Sequence, residues 1–200
     1  MTKHFNLPTS NYEILCRIVG ACAQFQDRLI SSKIAETCQF DPVVVLGNIG
    51  FLVSIGIVNG GMTKTLTPNG KSLASAICIN DSENIKECWN RVFSECAAMK
   101  SIAAHLEINR RTSKIIITHR IALALGISLN PHNQPKMNQL LGIFEAVEVL
   151  RAEDGEYVFM DFEQKIIHFR SDSSSYSEDS NWTRPSAEGS GRSDFFDAAP

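Results

Sequence analysis

Six cysteines and five histidines give this 200-residue chain its obvious capacity for chemistry, and their spacing removes most of it. Cys16, Cys22, Cys38, Cys78, Cys88 and Cys96 include no C-x-x-C pair. His4, His105, His119, His132 and His168 are scattered, with no H-E-x-x-H and no cysteine at zinc-ligand spacing. Most of the thiols sit in apolar helical patterns: Cys16 beside Leu15, Cys22 between Ala21 and Ala23, Cys96 beside Ala97. They are expected as reduced, small buried hydrophobes. Gly70-Lys71-Ser72 is a fragment of a phosphate loop without its upstream glycine, since Thr65 stands there. Neither G-x-G-x-x-G nor G-x-S-x-G occurs. With no nucleophile, base or metal set at workable spacing, the expectation is a non-enzymatic chain without cofactor or metal.

Binding chemistry is better represented. Asn109-Arg110-Arg111-Thr112-Ser113-Lys114 is a polar, basic turn entering a helix, and Lys136, Asn138 and Gln139 lie on the next helix. Asn and Gln side chains can pair with adenine, while Lys and Arg reach guanine or phosphate. These six residues (Arg110, Arg111, Lys114, Lys136, Asn138 and Gln139) are the candidate DNA contacts. Opposing them is the nearby acidic stretch Arg151-Ala152-Glu153-Asp154-Gly155-Glu156. An earlier helix offers only Val43, Leu46, Gly47 and Gly50 at equivalent positions. That apolar face suits protein: a partner, a second copy, or the neighbouring domain.

The elements that position these residues are set by a repeat about 92 residues apart. Ile49-Gly50-Phe51-Leu52-Val53-Ser54-Ile55-Gly56-Ile57-Val58 returns as Leu141-Gly142-Ile143-Phe144-Glu145-Ala146-Val147-Glu148-Val149-Leu150. In each copy the leading apolar residues share a helix face and the closing pair starts a strand. A third helix running into a β-hairpin, met twice, predicts two tandem units, at 1–80 and 81–170. In the first, Ser10 and Glu13 have capping-box spacing ahead of a helix to about Phe25. A second helix begins near Ser32. Asp41-Pro42 then starts helix three over 42–54, with Gly56 past its end. A hairpin is expected from Ile57-Val58 through Asn59-Gly60-Gly61 to Thr63–Thr67, then a helix from Pro68. The second unit is expected to hold a long helix over 83–106, one over 113–126 with Ile116, Ile117, Ile121, Leu123 and Leu125 inward, and one over 134–146. Its hairpin turns at Glu153-Asp154-Gly155.

This arrangement resembles the winged helix-turn-helix superfamily. Leu66-Thr67-Pro68-Asn69-Gly70-Lys71-Ser72-Leu73-Ala74 is similar to the L-T-x-x-G-x-x-L-A segment after the wing in MarR- and PadR-type regulators. The resemblance implies a mainly α fold with small β-wings and a DNA-associated transcriptional regulator, its second domain on DNA and its first on a protein partner or second copy. The competing expectation is a protein-interaction adaptor within a larger complex, without direct DNA binding.

Charge and composition fit either reading. The chain is 44% hydrophobic and 20% charged, with formal net charge -3, as in an ordinary soluble globular protein rather than a nucleic-acid coating protein. The start, Met-Thr-Lys-His-Phe-Asn, lacks the apolar core of a signal peptide, and no stretch approaches a bilayer span. A cytoplasmic or nuclear location without membrane association is therefore expected. Residues 171–200 hold nine serines, six acids and two arginines, a composition that predicts disorder. They close with Asp194-Phe195-Phe196-Asp197-Ala198-Ala199-Pro200, where Phe195 and Phe196 form a candidate protein-docking peptide.

Overall fold

The computed structural model describes residues 5–25 and 28–160. Among them the chain is mainly helical, with eight helices and a small three-stranded antiparallel sheet. The tail with Phe195 and Phe196 lies outside the described residues.

The first half holds α1 (Tyr12–Cys22), α2 (Ser31–Cys38), α3 (Pro42–Ser54) and α4 (Pro68–Cys78). Asp41 caps α3 as its sequence predicts, its Oδ1 accepting from the Val43 N–H at 2.8 Å, with Pro42 following. The capping-box expectation at α1 is corrected. Asn11 is the N-cap, accepting from the Ile14 N–H at 3.0 Å, because the Ser10 hydroxyl is engaged by Asn48 instead. Between α3 and α4 the hairpin is narrower than expected, with one bridge, Val58 to Leu66, flanked by Asn59 N–H to Thr65 O at 2.9 Å and Thr67 N–H to Ile57 O at 3.0 Å. Leu29, just before α2, donates to Lys64 O at 2.8 Å and so lies alongside the hairpin's return arm.

The L-T-x-x-G segment has a structural role residue by residue. Leu66 is buried in the bridge, and Thr67 caps α4, its Oγ1 accepting from Gly70 N–H at 3.0 Å while donating to Gly56 O at 2.7 Å. Gly70 packs directly on the Ile57 carbonyl. A Cβ there would collide with that oxygen and stand 3.1 Å from its carbon.

The second half contains α5 (Ser82–Glu95), α6 (Ala97–Glu107), β1 (Arg111–Thr112), α7 (Lys114–Leu125), α8 (Asn133–Ala146), β2 (Leu150–Glu153) and β3 (Glu156–Phe159). The sheet order is β1-β3-β2. Asp154 and Gly155 both take positive φ (52° and 80°), as a two-residue turn between twisted strands requires. The single helix expected over 83–106 is in fact two, broken where Cys96 adopts an extended conformation. The reason is packing: α5 lies against α4, whereas α6 lies against α7, and one straight helix cannot serve both. In α7, Ile117 and Ile121 are buried as expected, but Ile116 and Leu123 face outward.

The repeat is present in the backbone itself. Ile55, Gly56 and Ile57 donate to Phe51 O, Val53 O and Leu52 O; Val147, Glu148 and Val149 donate to Ile143 O, Glu145 O and Phe144 O. Gly56 and Glu148, at matching positions, both have positive φ (81° and 60°). One hydrophobic core runs through both halves. Its centre is a file of rings: Tyr12 on α1, Trp89 and Phe93 on α5, Phe144 on α8, with successive centroids 6.1, 5.5 and 5.5 Å apart.

Candidate nucleic-acid interface

The two helices that carry the repeat, α3 and α8, present matching faces that meet different fates. Over α3 lies the chain's own beginning. Phe5 and Leu7 are buried, Phe5 edge-on to Phe51 at 6.1 Å. Asn48, wholly inaccessible, accepts from the Thr9 N–H at 3.0 Å and donates to Ser10 Oγ and the Val44 carbonyl, each at 2.8 Å. The Asn6 N–H donates to Ser54 Oγ at 3.1 Å. Two glycines make room: a Cβ on Gly47 would come within 2.8 Å of Thr9 Oγ1, and one on Gly50 within 3.2 Å of the Asn6 amide carbon. What covers this part of α3 is thus its own N-terminal segment rather than the second half of the chain. Val43 and Leu46 stay outside the cover, 73% and 59% exposed.

On α8 no described segment covers the matching face. Gly142, the counterpart of Gly50, has open space where a Cβ would stand. Pro135, Asn138 and Gly142 are exposed, while Lys136 and Gln139 are half-buried. A cleft of about 270 Å³ separates the start of α7 from the first half of α8. Lys114 and Ile115 line one wall with Thr118 and His119; Leu129, Gln134 and Asn138 complete it. Of the six predicted contacts, the fold therefore brings Lys114 and Asn138 to one cleft, with Lys136 and Gln139 elsewhere on the same α8. Gln134, His119 and Ile115 were not anticipated. The polar type of Gln134, in the first turn of a third helix, was the signal available for it.

The charge distribution is more uneven than the total suggests. Between Glu107 and Glu145 there is no Asp or Glu, and there are five basic residues: Arg110, Arg111, Lys114, Arg120 and Lys136. That stretch comprises β1, α7 and most of α8. The acids are concentrated on the hairpin, where they are largely paired internally. Arg111 on β1 donates to Glu156 at 2.8 Å and Asp154 at 3.1 Å, and Arg151 stands 3.8 Å from Glu153. The hydrogen bond to Glu156, then that to Asp154, raises the Arg111 pKa further. The acidic hairpin is therefore less hostile to a phosphate than its sequence suggests, and Arg111 is committed to it rather than to a ligand. Arg110 is exposed. Lys136 Nζ lies 2.8 Å from His132 Nε2, a contact that needs the imidazole nitrogen as acceptor. The Ser113 side chain makes no capping bond to the first N–H groups of α7.

Four of the six thiols, Cys16, Cys22, Cys38 and Cys88, sit in surroundings that suppress reactivity. Burial, and then the neighbouring Cys38, pushes the Cys22 pKa up to about 12. Burial likewise raises Cys16, Cys38 and Cys88. No group of three His, Cys, Asp or Glu side chains among the described residues could hold a metal ion. No single helix among them is long and apolar enough to cross a membrane. No protein-family profile, curated protein or solved structure matches this chain.

Proposed function

We propose that this chain is a non-enzymatic regulator made of two tandem winged-helix units followed by a tail, and that its second unit binds duplex DNA through α7 and α8. Each half contains the required order, α1, α2 and α3 in the first and α6, α7 and α8 in the second, with a strand or strand-like residue before the middle helix and a hairpin after the last. The observation that carries the DNA reading is the acid-free, five-cation stretch folded around an open α8 whose Asn138 and Gln134 face outward. Phosphates would be held by Arg110, Lys114 and Lys136, and base edges met by the amides. The first unit, its third helix overlaid by residues 5–10, contributes Val43 and Leu46 as a protein-contacting patch.

Titration of random duplex against rising salt tests this. Four free cations would give a log-log slope of about -3 to -4, but with Arg111 held by its carboxylates three contacts remain, for about -2.7. Removing Lys114 should reduce the slope by about 0.9, whereas Arg111→Ala should leave it nearly unchanged. Binding that is absent at low salt, or indifferent to Arg110, Lys114 and Lys136, defeats the DNA reading. It would favour the adaptor reading, for which the specific support is the set of exposed apolar residues Ile115, Ile116 and Leu123 on α7.

A further inference from the structure

The basic face has an unusual companion. At the start of α7, directly after Lys114, Ile115 is 72% exposed and lines the cleft with Leu129, and Ile116, 46% exposed, follows on the adjoining face of the helix. Isoleucine in water next to a phosphate-seeking lysine gains nothing from DNA backbone. It suits a ligand that is apolar and acidic together. The chain carries such a segment: Asp194-Phe195-Phe196-Asp197, within residues 171–200, where six acids face two arginines.

We propose that this C-terminal segment docks on the α7–α8 face of its own chain, Phe195 and Phe196 against Ile115, Ile116 and Leu129, with the acids toward Lys114, Lys136 and Arg110. Two complementarities, apolar to apolar and acid to base, coincide on one surface. Reach is not limiting. The 35 residues from Met160 to Phe195 can extend up to about 3.3 Å each, far beyond the width of a domain of this size. A tether of this kind presents the segment at an effective concentration on the order of millimolar, so even a weak contact is populated. The segment then competes with any anionic polymer for the same cations. That competition alone rests on the DNA reading; the docking does not.

The test uses the full chain with Phe195→Ala and Phe196→Ala, which frees the face, and a fluorescent peptide of residues 188–200. Peptide anisotropy should rise on titration with this protein at low salt. Affinity should fall about fivefold or more with Ile115→Ser and Ile116→Ser, exposed positions whose replacement spares the core. The freed chain should bind random duplex about threefold tighter than the native chain, a gain that shrinks with salt. Peptide left unbound at about 1 mM, the concentration the tether itself supplies, overturns the proposal. So does binding unaffected by the isoleucine changes. If no variant binds duplex, the DNA reading fails, and the peptide titration still decides the docking. In the native chain, anisotropy of a label at the C-terminus that changes with protein concentration would assign the contact to a second copy and overturn the intramolecular form.

Discussion

Replacing Gly70 and Gly142 by alanine should move stability in opposite directions, although both glycines lie within helices. At Gly70 the new methyl group meets the carbonyl oxygen of Ile57, and it crowds a Leu66 methyl carbon at 3.2 Å. The Ile57 oxygen belongs to the hairpin backbone and accepts from the Thr67 N–H, so it cannot rotate aside as a side chain would. Relief requires separating the hairpin from α4. Overpacking typically costs about 1–3 kcal/mol, and a rigid backbone partner puts this case at about 3 or more. At Gly142 the methyl group enters open space, and lower unfolded-state entropy stabilises the helix by about 0.5–1 kcal/mol. The two variants should therefore differ by about 4 kcal/mol. Urea unfolding followed by circular dichroism reads this difference. With an m-value of about 2 kcal/mol per molar, Gly70→Ala should lower the midpoint by about 1.5 M and Gly142→Ala should raise it slightly. Equal midpoints for the two variants would refute the close approach of α4 to the hairpin, and with it the role given to the L-T-x-x-G segment.

Asn48→Ala should cost about 2–4 kcal/mol, because it strips partners from the Thr9 N–H and the buried Ser10 hydroxyl as well as leaving a void. Amide exchange at Asn6, Leu7 and Thr9 should accelerate; a variant with native exchange there would contradict the clamp. Stability should fall as pH rises from about 9 towards 12. Both forms of Cys22 are protonated below its ordinary 9.0, so its pKa shift adds no penalty there, and the unfolded thiol ionises first above it. Cys22→Ala should flatten part of that slope, and an unchanged alkaline limb would remove Cys22 as its origin. Iodoacetamide should label the exposed Cys78 well before the buried Cys22 and Cys38, as peptide mass mapping can show.

Local signals in the sequence reached far into this fold. Asp41-Pro42 placed the start of α3 and Asp154-Gly155 placed the second hairpin turn, because each is fixed by the φ preference or hydrogen bonding of a few residues. The 92-residue spacing carried through to individual backbone hydrogen bonds. The break at Cys96 was not legible. The apolar residues Trp89, Val92, Cys96, Met99, Ile102 and Leu106 keep helical spacing across it, and the break answers to two different packing partners. The cover over α3 is not legible either. The alternation of Phe5 and Leu7 and the Gly47, Gly50 pair are the available signs, but a six-residue segment outside any helix or strand joins a helix only through tertiary contacts. At the candidate interface, Lys114 and Asn138, both singled out by residue type, line one cleft. The neutralisation of Arg111 needed the pairing of β1 with β3, which sequence spacing does not show.

The file of rings from Tyr12 to Phe144 bears on how far the two halves of the chain depend on each other. Both meet at Trp89, whose ring packs against Tyr12 of the first half and Phe93 of the second. Separating the halves near Asn80 would take Trp89 away from Tyr12 and α5 away from α4. The halves should therefore melt together, in one transition, and a fragment of either should be a poor substitute for the whole.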